Sequence, residues 1–295
     1  MKHNIISLIG IVILAVGLNS CSEDVTAPNN ENSEGKLAME FKFSHPSQSR
    51  ATETAFESGD IVGLFVSDAE TPLEISGNTV NNEKITFNGS AWKASRTLYW
   101  NEGQYNVYAY YPHLSDITSI TDLPFEIKTD QRDNAVGMSG YEASDFLFAS
   151  AKNVSASASP VDLQFSHIMS KITVRLIKGE DFEGEIPNDA TVYIHNTVTE
   201  ASIDLAAGVV TKALHGTRNT VVARQVSPTS YSAIIVPQRL ENRVPFVEVV
   251  MNGVSFLYDS KFLFKPGIHH IVNFVIDKNP DQIKIEVGGE IKDWN

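Results

Sequence analysis

The residues that most often carry catalysis or bind metals are scattered along this 295-residue sequence. It holds eight histidines, and of these only His269 and His270 are adjacent. Neighbouring residues of a β-strand point to opposite faces, so this pair cannot chelate one metal ion from a regular strand. Asp130, Asp133 and Asp145 could offer oxygens to calcium, but their spacing lacks the order of a calcium-binding loop. We therefore interpret the histidines as structural and these aspartates as solvated surface.

The sequence also lacks the common catalytic signatures. It contains no Gly-rich phosphate loop, no CxxC, no HExxH and no GxSxG. We predict no catalytic residue, no metal site and no cofactor, although a pocket holding two carboxylates about 5–10 Å apart would indicate a glycosidase. A group of aromatic residues could stack on sugars, but a β core absorbs such rings routinely, which favours packing. They are Trp92, Trp100, Tyr105, Tyr108, Tyr110 and Tyr111.

The only cysteine, Cys21, stands at the end of an apolar segment. Ile5–Leu18 follows a short positive start and is shorter than a membrane span needs, which predicts a cleavable signal peptide over residues 1–20. The residues Leu18-Asn19-Ser20 resemble a lipobox, where a lipoprotein peptidase cuts ahead of a diacylated cysteine. A lone cysteine forms no intramolecular disulfide, and we predict its lipidation. The alternative is an uncleaved anchor helix with an incidental cysteine.

A polar tether is predicted after the lipidation site. Ser22–Gly35 holds carboxylates and asparagines with hardly an apolar residue, a composition that cannot repay the entropy of ordering. We therefore predict that residues 21–35 form a flexible acidic tether. Its start, Ser22-Glu23-Asp24, resembles the acidic signal that sends some lipoproteins to the outer face of the outer membrane, although a solvated linker looks the same.

The net charge limits the classes of partner, and the length indicates the number of domains. The formal net charge is −13 at pH 7, and removal of residues 1–20 takes away only Lys2, which brings it to about −14. A surface this acidic argues against nucleic acid and anionic lipid as partners. The roughly 260 residues after the tether are more than one β-sandwich usually needs. We therefore predict two sandwich domains, at residues 36–160 and 161–295.

The periodicity of the hydrophobic residues is that of β-strands and predicts an all-β fold. Leu37, Met39, Phe41 and Phe43 alternate with polar or small residues, as in a strand with one buried face. The Ala/Ser-rich stretch Ser150–Pro160 is predicted to connect the two domains. Further strands of the first half are predicted at Ile61–Val66, Asn106–Tyr111 and Asp145–Ala149.

The second half shows the same periodicity with one interruption. Leu163 and Phe165 stand in the opposite phase to Ile168 and Ile172, so we predict a bulge or break near His167. No segment must be helical, although a short helix fits between Asp130 and Ser144. The other predicted features are a buried strand at Tyr231–Val236, a tight hairpin at Asn252-Gly253, a reversal at Lys265-Pro266-Gly267 and a last strand with Ile283, Ile285 and Val287.

The order of several short segments resembles the fimbrillin-like, or Mfa-like, family of surface lipoproteins, which includes type V pilus subunits. Besides the lipobox, the matching segments are Arg50-Ala51, Gly59–Phe65, Tyr108–Pro112, Ser144–Ala149, Leu163–Ile172 and Ile291–Trp294. The resemblance implies two tandem transthyretin-like β-sandwiches. It also implies a mechanism in which a protease cuts after an arginine beyond the first strand, that strand leaves, and its groove accepts a donor strand from another subunit.

The resemblance assigns roles to residues of this chain. Arg50 would be the cleavage site and Ala51 the new N-terminus, in a polar stretch that a protease could reach. Leu37–Phe43 would be the removable first strand, and its loss would cost roughly 6–12 kcal/mol if its four apolar side chains are fully buried. The alternating residues of Ile283–Val287 would be either a donor strand or the permanent last strand.

Two hypotheses of function follow from these observations. The first is a structural or adhesive fimbrial subunit, anchored in the outer membrane through Cys21, exposed at the cell surface and joined to other subunits by strand exchange. The short C-terminal end favours a minor subunit, at the tip or the anchor, over the stalk, and a tip subunit would bind a host or bacterial surface ligand. The alternative is a monomeric surface lipoprotein that binds a glycan or a host protein. It predicts an uncut Arg50, a permanent first strand and an exposed aromatic cluster.

Overall fold

The computed structural model describes residues 36–46, 55–132, 139–277, 284–286 and 291–294. The all-β prediction is confirmed: in this part of the chain the strands are joined by turns, with a 3-10 turn at Glu142–Ser144 and no α-helix. None of its helical segments is long and apolar enough to cross a membrane. The strands are β1 (Phe41–Ser44), β2 (Ile61–Asp68), β3 (Val80–Phe87), β4 (Trp92–Ala94), β5 (Gln104–Tyr111), β6 (Leu123–Glu126), β7 (Leu147–Ser155), β8 (Val161–Gln164), β9 (Ser166–His167), β10 (Ser170–Lys178), β11 (Thr191–Val198), β12 (Glu200–Asp204), β13 (Val209–Lys212), β14 (Arg218–Val222), β15 (Arg224–Ser227), β16 (Ser230–Ile235), β17 (Gln238–Met251), β18 (Val254–Phe264), β19 (Ile268–Ile276), β20 (Lys284–Glu286) and β21 (Ile291–Asp293).

The first half of the chain builds an antiparallel sheet with the strand order β4-β3-β2-β5-β7-β9. The residues from Val62 to Ser67 of β2 are all buried, because other layers cover both faces of this sheet. β1 and β8 form a separate parallel pair, in which Phe43 lies opposite Leu163. The strands predicted at Ile61–Val66 and Asn106–Tyr111 are confirmed as β2 and β5.

The second half contributes to three further sheets. Their strand orders are β15-β16-β10-β19-β20, with β21 also on β19, then β14-β11-β17-β18, and β13-β12-β6. The predicted tight hairpin joins β17 to β18, and Asn252 and Gly253 have φ angles of 51° and 75°, which a type I′ turn requires. The buried strand predicted at Tyr231–Val236 is β16. The predicted reversal at Lys265-Pro266-Gly267 leads from β18 into β19, which belongs to a different sheet.

Two clusters of buried hydrophobic residues form the core. The smaller one, which we call the first-strand cluster, packs β1 and β8 against one face of the first sheet and includes Met39, Phe43 and Leu163. The larger cluster takes residues from the opposite face of the same sheet, such as Phe65 and Tyr108, together with most of the buried residues of the second half. The first sheet therefore lies between the two clusters.

The predicted interruption near His167 is confirmed as a break. Leu163 belongs to the first-strand cluster, whereas Ile168 belongs to the larger cluster, and β9 between them pairs with the edge of the first sheet. Residues 161–165 thus pair and pack with the first half, although they lie beyond the predicted domain boundary. The residues of Lys36–Asn295 form one compact unit by their contacts, and the division into two domains stays a prediction.

The prediction that Ser150–Pro160 connects two domains is wrong for its first part. β7 extends through Ser155 and pairs with β5, with Ala151 opposite Val107. Small and polar residues carry no hydrophobic alternation, so the sequence does not reveal a strand whose hydrogen bonds come from a neighbouring strand. The sequence is compatible with a short helix between Asp130 and Ser144. The described residues of this stretch form only the 3-10 turn.

Candidate functional site

The first segment, Leu37–Ser44, is hydrogen-bonded along both of its edges. On one side, the N–H of Met39 donates to the carbonyl of Leu98 at 2.8 Å, and the N–H of Trp100 donates to the carbonyl of Leu37 at 2.8 Å. On the other side, β1 runs parallel to β8 and pairs with it over its whole length. The first segment therefore fills a slot between two other parts of the chain.

The first segment buries fewer side chains than the alternation indicates. Met39 and Phe43 are buried and Phe41 is half-buried, but Leu37 is 37% exposed. The condition of four fully buried side chains is therefore not met, because Leu37 is exposed and Phe41 is only half-buried. Alternation predicts which face a residue occupies, but not how far a hydrophobic cluster extends along the strand. Two buried side chains contribute about 3–6 kcal/mol, half of what four would contribute.

Phe43 ends among three other aromatic rings. Its ring centroid lies 5.0 Å from that of Trp92, in a T-shaped contact, and 6.0 Å from that of Phe165. Phe56 completes the group, 4.9 Å from Trp92 and 5.5 Å from Phe165 between centroids. We call Trp92, Phe56 and Phe165 the aromatic box. Edge-to-face contacts of this kind stabilise packing beyond the burial of the rings.

A groove of about 760 Å³ runs beside the first segment. The first segment lines one side of this groove, and residues 91–98 line the other. The carboxylate of Glu83 fixes that second wall, because it accepts the N–H of Ser95 at 3.2 Å and the Nε–H of Arg96 at 3.3 Å. These bonds do not involve the first segment, so they can hold the wall in place without it.

His45, which directly follows the first segment, and Trp294 both lie against the ring of His167. The ring of His45 lies 6.0 Å from that of His167, and Trp294 stacks on His167 with 3.8 Å between centroids. Burial lowers the pKa of His45. Nδ1 of His167 lies 2.8 Å from a carboxylate oxygen of Asp145. The interpretation of Asp145 as solvated surface is therefore wrong, because its carboxylate faces a buried histidine.

The predicted last strand pairs with its own chain. β20 runs antiparallel to β19, with Ile285 opposite Phe274, and β21 pairs with the other end of β19. β20 thus pairs within the chain, and β21 follows it as the last strand of the described residues. Outside the described residues lie Ile283, Val287, Cys21, Arg50 and Ala51, so their predicted roles stay predictions.

The aromatic residues that could have formed a sugar-stacking platform lie mostly in the core. The half-buried Trp92 belongs to the aromatic box, and the hydroxyl of Tyr111, also half-buried, donates to a carboxylate oxygen of Asp60 at 3.1 Å. Burial raises the pKa of Tyr111. The buried members are Trp100, Tyr105, Tyr108 and Tyr110.

The adjacent histidines make separate contacts. Nε2 of His269 lies 2.7 Å from the hydroxyl of Thr173, whereas Nε2 of His270 accepts the N–H of Lys265 at 3.2 Å. Asp130 forms an exposed ion pair with Arg132, which agrees with its interpretation as solvated surface. Within the described ranges, no three His, Cys, Asp or Glu side chains come together as metal ligands would.

Sequence reasoning missed several residues that shape the slot. Phe56, Phe165 and Glu83 come from different parts of the chain, and nothing in their local sequence indicates which ring or loop they contact. Trp92 stood out only as one aromatic residue among several. Its place in the aromatic box depends on the pairing of β4 with β3, which positions it beside the first segment.

The chain is similar in sequence to proteins of fimbriae. It is 30% identical over 166 residues to a Bacteroides ovatus protein provisionally named fimbrium tip subunit Fim1C, and this match covers 50% of the chain and 30% of that protein. It is 21% identical over 308 aligned residues to a Bacteroides uniformis protein provisionally named fimbrium subunit Fim1C, covering 98% of the chain and 94% of that protein.

The fold is shared with solved structures. The crystal structure of a Bacteroides uniformis protein, provisionally assigned to cell adhesion, matches with a TM-score of 0.69 and 18% identity, covering 90% of this chain and 100% of that one. At this identity the likeness shows the fold alone. The family model described as fimbrillin-like matches residues 49–294, which is most of the chain. The resemblance seen in the sequence is thereby confirmed, and the chain belongs to the fimbrillin-like family.

Proposed function

We propose that this chain is a minor subunit of a surface fimbrium, and that it accepts a strand of another subunit in the slot now filled by the first segment. The observation that carries the proposal is the way the first segment is held. It is hydrogen-bonded along both edges, yet only Met39 and Phe43 are buried in the first-strand cluster. A strand from another chain could make the same main-chain bonds and fill the same apolar positions.

The loss of burial that follows removal of the first segment is large compared with the stability of an ordinary domain. Replacement of the segment by another strand is therefore favoured over an empty slot. Loss of Met39 and Phe43 would cost about 3–6 kcal/mol of burial, and ordinary domains have only about 5–15 kcal/mol of stability. It would also leave the carbonyl of Leu98 and the N–H of Trp100 without their present partners. An emptied slot would therefore bind a donor strand strongly, because one strand restores both the burial and the hydrogen bonds.

Cleavage after Arg50 would free the first segment and leave β1 and β2 whole. Arg50 falls between β1, which ends at Ser44, and β2, which begins at Ile61. The predicted lipid on Cys21 would hold the uncut chain at the outer membrane. Because Cys21 lies on the N-terminal side of Arg50, the same cut would separate the rest of the chain from its lipid. One proteolytic event would then both open the slot and release the subunit for assembly.

The expected partners are other fimbrial subunits, with a host or bacterial surface ligand for a subunit at the tip. The Bacteroides ovatus relative that carries a tip subunit name supports a minor position, at the end of the fimbrium. The alternative, a monomeric lipoprotein that binds a glycan through exposed rings, is less well supported. Four of the six aromatic residues that it would need at the surface are buried.

Replacement of Arg50 by Gln tests the proposal in cells. We expect Arg50→Gln to stay uncut and to be missing from surface assemblies that resist mild denaturant. The matched control, Arg243→Gln, changes an exposed arginine of β17 and should be processed and assembled like the parent. Normal incorporation of uncut Arg50→Gln into such assemblies would contradict the proposal.

A further inference from the structure

We infer that the slot selects its donor strand by an aromatic side chain at the position of Phe43, and that the C-terminal strand of this chain is not such a donor. The inference rests on the proposed function, because it names the kind of strand that the slot accepts. The partner subunit would carry an aromatic residue four positions after an apolar residue. These two side chains would occupy the places of Phe43 and Met39.

The aromatic box provides a place for a ring. Phe43 meets Trp92 edge to face and tilts against Phe165. Phe56 packs edge to face on both of those rings, so it joins the other two members of the box independently of Phe43. An aliphatic side chain at the Phe43 position would leave unfilled space against the rings of Trp92 and Phe165, and unfilled space in a packed core is costly.

The positions next to Phe43 impose weaker demands. Phe41 is half-buried, and its ring stacks on Phe43 with 6.2 Å between centroids. Lys42 points away from the cluster and forms an exposed ion pair with Asp162 at 3.4 Å, a type of contact that contributes little. Met39 is buried four residues earlier, on the same face as Phe43. The slot therefore selects a donor strand mainly by the side chain at the position of Phe43. At the position of Met39 it requires only an apolar side chain.

The C-terminal strand of this chain lacks the required ring. In Ile283–Val287, β-branched aliphatic residues alternate with charged residues. After Ile276 the sequence has one aromatic residue, Trp294, and its ring stacks on His167. A slot that needs an aromatic side chain would not accept Ile283–Val287 of a second copy, so this strand would not join copies of the chain head to tail. The slot would instead accept a strand of a different subunit.

Peptide exchange into the cut chain tests this inference. The mature chain would carry Cys21→Ser, which prevents lipidation, and a specific protease site inserted after Arg50, so that the first segment stays bound only by non-covalent contacts after cleavage. Labelled peptides would then compete for the slot. They are the native sequence of residues 36–44, the same peptide with Phe43→Ala, the same peptide with Lys42→Ala as matched control, and the sequence of residues 281–288.

We expect the native and Lys42→Ala peptides to enter equally well. The Phe43→Ala peptide should bind at least about tenfold more weakly, and the peptide of residues 281–288 should not enter. Equal entry of the Phe43→Ala peptide, or entry of the C-terminal peptide, would overturn the selectivity and leave strand acceptance intact. If even the native peptide fails to enter, strand acceptance itself is overturned, and the selectivity with it.

A variant of the aromatic box gives a second test, in which the receiving chain is changed and the peptides stay the same. In a Trp92→Leu chain, the slot keeps its main-chain edges but loses one wall of the aromatic box. The difference in affinity between the native and Phe43→Ala peptides should then shrink. An unchanged difference would show that the ring is not recognised by the box.

Discussion

The ring of Phe43 meets the indole of Trp92 edge to face, with 5.0 Å between the two centroids. The contact joins the first segment to β4, an edge strand of the first sheet, across 49 positions of the sequence. Phe43 thereby connects the first segment, together with Met39, to the rest of the first-strand cluster. Stability and strand exchange should both depend on it.

Truncation of Phe43 should destabilise the chain far more than truncation of Leu37. Phe43→Ala removes a buried ring and should lower the free energy of unfolding by about 3–5 kcal/mol. Leu37→Ala changes a side chain that is 37% exposed and should cost well under about 1 kcal/mol. Urea unfolding of the uncut, lipid-free chain measures both. Equal losses for the two variants would contradict the burial pattern of the first segment.

Gly63 should not tolerate a side chain, because a Cβ there would overlap the ring of Tyr110. Tyr110 cannot easily move aside, since it is buried and its hydroxyl donates to the side chain of Asn82 at 2.6 Å. Gly63→Ala should therefore lower the free energy of unfolding by about 1–3 kcal/mol. In a Tyr110→Leu background the added cost should be smaller, and fully additive losses would exclude this clash as the cause.

Acid should destabilise the fold through His270. Burial, with a smaller effect of Lys265, lowers the pKa of His270 from 6.5 to about 4. Between these two pH values the unfolded chain binds the proton more strongly, so the free energy of unfolding falls as the pH drops from about 6.5 to about 4. Protonation would also remove the acceptor that Nε2 offers to the N–H of Lys265.

The variant His270→Gln isolates this effect. We expect it to flatten the pH dependence of chemical unfolding by roughly 1–2 kcal/mol over that range, less than the full shift because solvent screens the charge. The residual slope would come from the other groups that titrate in this range, including His45. A slope that is identical in the parent and in His270→Gln would show that His270 does not bind a proton differently in the two states.

Trp294 should anchor the end of the chain. Its side chain is buried and stacks on His167 at 3.8 Å between centroids, and its backbone N–H donates to the carbonyl of Gly267 at 3.0 Å. Trp294→Ala should cost about 3–5 kcal/mol, whereas Trp294→Phe keeps a ring against His167 and should cost less. Thermal unfolding compares the two, and an unchanged midpoint for Trp294→Ala would contradict this role.

Much of the fold could be predicted from local patterns. The dense apolar runs at Ile61–Val66 and Tyr231–Val236 form buried strands, and Asn252-Gly253 forms the tight hairpin, because each is determined by a few neighbouring residues. The phase change between Phe165 and Ile168 marked the point where the chain passes from one cluster to the other.

The rest depends on contacts between distant residues. β7 continues through Ser155 although its residues from Ser150 on are mostly small or polar, because β5 supplies its hydrogen bonds. β1 pairs in parallel with β8, and the paired residues Phe41 and Val161 are 120 positions apart in the sequence. No local pattern specifies so distant a partner. For the candidate site, the sequence identified the first segment but could show neither the exposure of Leu37 nor the aromatic box, since both depend on tertiary packing.

Intact mass and N-terminal sequencing of the chain recovered from the cell surface test strand exchange most directly. Strand exchange predicts a chain that begins at Ala51, without the first segment, in high-mass assemblies that resist mild denaturant. A lipidated chain that begins at Cys21, retains Leu37–Ser44 and runs as a monomer in detergent would contradict it.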